Sequence, residues 1–167
     1  MIFRNKSNNK RLEIICTQAN KLISDGSFWV RWLKIQKFNL MYTSPEVTSA
    51  MIMDLVKYQP PRTMDVFCFK SKLPWSKSNG YTLPDQPGKM WLNTRRLNRS
   101  DASIVATLTH EMTHMIDALS PYTFGHGSNT VKNTHDELFQ NGCAPEVMAA
   151  LAYFHLSGMK STEDSSL

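Results

Sequence analysis

Apolar residues recur at helical spacing in KRLEIICTQANKLIS, residues 10–24, where Leu12, Ile15, Ala19, Leu22 and Ile23 share a face and Gly26 marks a stop. Residues 27–42, SFWVRWLKIQKFNLMY, carry two periods. Phe28, Trp29, Trp32, Leu33 and Gln36 suit a helix, whereas Phe38, Leu40 and Tyr42 alternate as in a strand. Pro45 and Glu46 make a plausible first turn for a helix over 45–57, continued by Val47, Ala50, Met51, Leu55 and Val56. Beyond Pro60-Pro61, TMDVFCFK (63–70) alternates like a strand. The prolines and glycines of 71–88 predict a loop or irregular hairpin, and KMWLN (89–93) a short strand. Ser100 or Asp101 can cap a helix over about 102–119, followed by a loop over 120–133 with Pro121, Gly125 and Gly127. Thr134 and Glu137 have capping-box spacing for a short helix to Gln140. Pro145 opens a last helix that Gly158 ends. The pattern predicts one α+β domain over residues 1–167: a small mixed sheet, flanking helices, and polar ends at 1–9 and 160–167 that fray.

Composition narrows the class without choosing a function. The 167 residues are 41% hydrophobic and 20% charged, as expected of a soluble globular chain with a real core. Neither a membrane-spanning apolar run nor the h-region of a secretory signal is present. Cys16, Cys68 and Cys143 are odd in number and widely spaced, which argues against a disulfide framework and for a reducing, cytoplasmic setting. The net charge of +5 is spread over several short clusters, and no recognised nucleic-acid-binding motif accompanies it. A nucleic-acid partner therefore has only weak support.

The chemistry concentrates in THEMTHMIDALSPYTFGHG, residues 109–127. His110-Glu111-Met112-Thr113-His114 is HExxH, and residues four apart on a helix lie one above the other, so two imidazoles can face one ion. Glu111 is turned by about 100° from His110. That places it beside the ion, where it can act as general base on a water rather than as a ligand. Ile104, Val105, Leu108, Met112, Met115, Ile116 and Leu119 supply apolar packing around the rest of the helix. Catalytic zinc takes three protein ligands and keeps an open position. Metzincin spacing would require a glycine at Asp117 and a ligand at Ser120, and the chain has neither. His126, between Gly125 and Gly127, is the preferred third ligand because a tight backbone there could swing the imidazole back over the helix. His135, Glu137 and Glu146 are the alternatives.

WLNTRRLNRSDASIVATLTHEMTH followed by a loop and GHG resembles the SprT-like zinc metalloprotease family. The likeness lies in a short strand with an Asn, a spacer, the HExxH helix, and a downstream loop histidine followed by glycine, over roughly residues 88–130. It implies a zincin-like fold, one Zn2+ held by His110, His114 and His126, and Glu111 as the catalytic base. It also implies hydrolysis of peptide bonds in a protein or peptide substrate, in some members on DNA-associated proteins. The stretch HGSNTVKNTHDE departs from the family in lacking an aromatic after the third histidine, and no Cys pair follows for a zinc ribbon. The rival expectation is a zincin-fold protein that binds a protein or nucleic acid without proteolysis.

Other residues have assignable roles. KMWLN is a candidate for the edge strand that receives an extended substrate, with Trp91 or Met90 facing the core. Trp75 and Tyr81 could overhang the cleft or cover the core edge. Asp117 could accept from a ligand imidazole, although exposure is the plainer expectation. Tyr122 reads as packing before oxyanion stabilisation, Cys143 as a buried thiol, and His155 as an ordinary residue of the last helix.

Overall fold

The computed structural model describes residues 1–72, 78–126 and 142–158. Its strands are β1 (Ile2–Asn5), β2 (Thr63–Phe69), β3 (Gly80–Thr82) and β4 (Lys89–Asn93). The helices are α1 (Lys10–Ser24), α2 (Gly26–Trp32), α3 (Ser49–Tyr58), α4 (Asp101–Leu119) and α5 (Ala144–Ser157). This is an α+β chain with a mixed sheet in the order β1-β2-β4-β3, where β1, β2 and β4 run parallel and β3 antiparallel to β4.

One face of the sheet is apolar because alternate residues point the same way. Phe3, Met64, Val66, Met90 and Leu92 are all buried there, in one core with Leu12, Ile15, Leu108 and Met112 of the helices. Met90, with Leu92, and not Trp91 is therefore what KMWLN gives to the core. Trp91 lies on the opposite face, stacked between Phe67 and Tyr81. α4 packs against α5, α1, α3 and β3, which makes it the hub of the domain. Its cap is Ser100, whose hydroxyl accepts the Ser103 N–H at 3.3 Å.

Several expectations change. Residues 2–5 pair with β2 instead of fraying: Phe3 is buried, and the Asn20 amide bonds both its N–H and its carbonyl. α1 does stop before Gly26, at Ser24, but Gly26 at once begins α2, because Asp25 caps it by accepting the Ser27 N–H. No strand forms at 38–42, where Leu40 and Met41 are exposed. The helix expected from Pro45 starts at Ser49, capped by Thr48. The stretch over 71–88 contains β3, which makes the expected hairpin with β4, but β4 is thereby an interior strand, not an edge, and β3 is one edge of the sheet. The last helix behaves as expected, with Pro145 in its first turn and Gly158 left-handed at φ 68°. Trp75, the helix at 134–140, His135 and Glu137 lie outside the described residues. Among the described residues, no helix is long and apolar enough to cross a membrane.

Candidate metal centre

α4 delivers His110 and His114 on one face, and the loop after Pro121 returns His126 to the same place. The three side chains place their ligand atoms within 4.8 Å of one another, close enough to bind a metal ion. The Nε2 atom of His110 lies 3.1 Å from that of His114 and 3.3 Å from that of His126. Two nitrogens bound at about 2.0–2.1 Å to a tetrahedral ion stand about 3.3 Å apart. Two of the three donor pairs thus already stand near the spacing of a tetrahedral site, and all three lie within 4.8 Å. The ring of His110 is oriented by α5, since the Pro145 carbonyl accepts its hydrogen bond. Such a partner fixes the tautomer and aims the other nitrogen.

The loop that carries His126 is held by Asp117, in the last turn of α4. Its carboxylate accepts the backbone N–H of Phe124 at 2.6 Å and also that of Gly125. On the loop's other side, Ser44 donates its N–H to the Thr123 carbonyl at 2.7 Å. Gly125 is needed for close approach, not for a left-handed backbone. A Cβ there would lie 2.4 Å from Asp117 Oδ2 and 3.1 Å from His114 Nδ1. Asp117 is therefore neither exposed nor idle: it positions the third histidine. An acidic group in a helix's last turn opposes the helix dipole, and that was the signal in the sequence that it had other work.

Glu111 is 8% exposed and faces β3, where the Thr82 hydroxyl lies 3.5 Å from its Oε2 and the Thr82 N–H also donates to it. Burial pushes its carboxyl up to about 7, against the opposing pull of those donors. Burial likewise lowers His114 to about 3 and lowers His110, so these imidazoles stay neutral, as a metal ligand must be. Gly80 brings β3 this close to α4, because a Cβ there would meet the Trp91 carbonyl at 2.9 Å and Thr107 at 3.4 Å. Asn93, fully buried, pins the segment before β3 by donating to the Ser78 carbonyl at 2.9 Å.

Glu146, in the first turn of α5, is a neighbour of the triad rather than part of its tightest grouping. Its Oε1 stands 3.2 Å from His126 Nε2, and its Oε2 4.0 Å from His110 Nδ1. Burial alone would raise its carboxyl, but the His126 hydrogen bond and the nearby imidazoles outweigh that and hold it below the usual range. Tyr122 packs on the core, and Cys143 is a buried free thiol pushed up to about 11 by burial. His155 is less ordinary than expected, because its Nε2 meets Asp25 Oδ2 at 2.9 Å and ties α5 to the start of α2. Cavities of about 530 and 660 Å³ flank the triad, and both reach Gly80, His110 and Glu111. No family model, curated protein or solved structure matches the chain.

Proposed function

We infer that this protein is a zinc-dependent endopeptidase with a zincin-like, SprT-like active site. The carrying observation is the clustering of three imidazole nitrogens within 4.8 Å of one another, with the HExxH glutamate buried beside them and turned toward an edge strand. An all-imidazole donor set suits zinc. Bound there, zinc supplies Lewis-acid polarisation of a carbonyl and lowers the pKa of water.

The chain's own groups supply the rest. Glu111 takes a proton from the attacking water and passes it to the leaving amine. Thr82 holds the carboxylate in place from the edge strand. Among the described residues β3 is paired on one side only, by β4, so its other edge can hydrogen-bond an extended peptide between the two cavities. Asp117 and Pro145 act through the histidines they position.

The test is cleavage of casein and of quenched fluorogenic peptides by zinc-loaded protein. Activity should vanish with a chelator and return with zinc. Protein that binds one equivalent of zinc yet cleaves neither substrate would overturn the peptidase assignment in favour of a partner-binding zincin.

A further inference from the structure

The larger cavity runs from the metal centre between α4 and α5, past the small side chains Ala106, Ala149 and Ala150, to Arg99. Arg99 is fixed there by neutral acceptors. Its Nε donates to the Arg96 carbonyl at 2.9 Å, its Nη1 to the Ser103 hydroxyl at 2.9 Å and carbonyl at 3.3 Å, and its Nη2 to the Thr107 hydroxyl at 3.1 Å. These bonds hold the guanidinium still without cancelling its charge. None of the ion pairs among the described residues involves Arg99. A guanidinium has five N–H groups, so Nη2 keeps one for a ligand. Burial, with the nearby Arg96 charge, lowers the group's pKa, which is the condition an incoming anion relieves.

The cavity is electrically polar. Glu111 and Glu146 stand at its metal end and Arg99 at the other. Thr107, which holds Nη2, precedes His110 by three residues, about 4.5 Å along the helix axis. An extended peptide advances about 3.3 Å per residue. The charge therefore sits one or two substrate residues from a bond placed over the triad.

We propose that Arg99 is a specificity-determining residue that receives a substrate carboxylate one or two residues from the scissile bond. The proposal rests on the peptidase assignment above. The carboxylate can belong to an Asp or Glu side chain or to the free end of the chain. A charge-assisted hydrogen bond of this kind is worth about tenfold or more in selectivity.

The experiment compares zinc-loaded wild type, Arg99→Gln and Arg99→Lys on matched fluorogenic peptides. These carry Glu or Gln at each position near the cleaved bond, with free-acid or amidated termini. The readout is the acid-to-amide ratio of kcat/KM within each protein, which cancels differences in folded fraction. Wild type should favour the acid about tenfold, Arg99→Gln should lose the preference, and Arg99→Lys should retain part of it. Selectivity for internal Glu identifies a side-chain carboxylate, and selectivity for the free-acid peptide a chain terminus. A ratio near one in wild type, or one unchanged in Arg99→Gln, overturns the proposal and leaves Arg99 a structural clasp. If no peptide is cut, the peptidase assignment fails separately. Anisotropy of the same labelled peptides on zinc-loaded Glu111→Gln, with and without Arg99→Gln, then decides whether the carboxylate is read.

Discussion

Adding one methyl group at Gly125 should weaken metal binding by the three histidines. In Gly125→Ala the new Cβ would lie 2.4 Å from Asp117 Oδ2, where ordinary contact begins near 3.4 Å. The loop and the carboxylate must therefore separate by about 1 Å. His114 Nδ1, at 3.1 Å, narrows the escape route on the other side. The movement breaks the Asp117 hydrogen bonds to Phe124 and Gly125, and His126 moves with them. Metal–ligand distances tolerate only about 0.2 Å. Zinc affinity should fall by at least the about 10- to 100-fold seen when a ligand's supporting partner is lost. The metal-free protein should lose at least about 1.5–3 kcal/mol, the worth of one of these charged hydrogen bonds. Competition with a chromophoric chelator reads the first quantity and a denaturant midpoint the second. In an Asp117→Ala background the clash is gone, so the same substitution should cost much less. Wild-type zinc affinity together with a wild-type midpoint in Gly125→Ala would refute the placement of Asp117 and the loop.

Other consequences follow from the same geometry. Gly80→Ala drives a Cβ against the Trp91 carbonyl and Leu92 side chain, so it should lower stability by about 1–3 kcal/mol and weaken peptide cleavage by moving Thr82 off Glu111; urea titration and kcat/KM check both. His126→Ala should retain the fold and lose bound zinc, measured as metal content after gel filtration; full retention would mean that another group completes the site. In the metal-free protein, burial raises Glu111 from 4.5 to about 7, so between those values the folded state holds a proton the unfolded chain has released. That contribution is complete below the lower value and is lost as pH rises through the upper one. Metal-free Glu111→Gln should therefore be more stable than wild type near about pH 8, by on the order of 2 kcal/mol, and equal to it near about pH 4. His114 titrates in the opposite sense: burial lowers it from 6.5 to about 3, so both proteins lose its contribution as pH falls across that range. Denaturant midpoints across pH would contradict this if the variant showed no gain on the alkaline side.

Much of this site was legible in the sequence because its key contacts are local. His110 and His114 are one turn apart, and the helix that holds them needed only its own period and cap. His126 followed from a loop long enough to reverse, although the glycine before it serves close packing, not an unusual backbone angle. What escaped was pairing at a distance. β1 is short and only half apolar, and its existence depends on Thr63–Val66 and on Asn20. β3 is three residues in a stretch rich in turn formers, held by β4 and by Asn93. Without β3, β4 looks like an edge, and the candidate substrate strand is misassigned. The Pro145 carbonyl could not be found from side-chain chemistry at all, since any residue there offers one. Asp117 could have been, from its place at the wrong end of a helix dipole.

Glu111 is proposed to move protons beside a metal it does not hold. Zinc content and peptide cleavage measured on the same preparations of wild type and Glu111→Gln test it most directly. The expected result is one equivalent of zinc in both proteins and cleavage in wild type alone. Zinc lost from the variant would make Glu111 a ligand, and cleavage undiminished in a zinc-loaded variant would remove it from the chemistry.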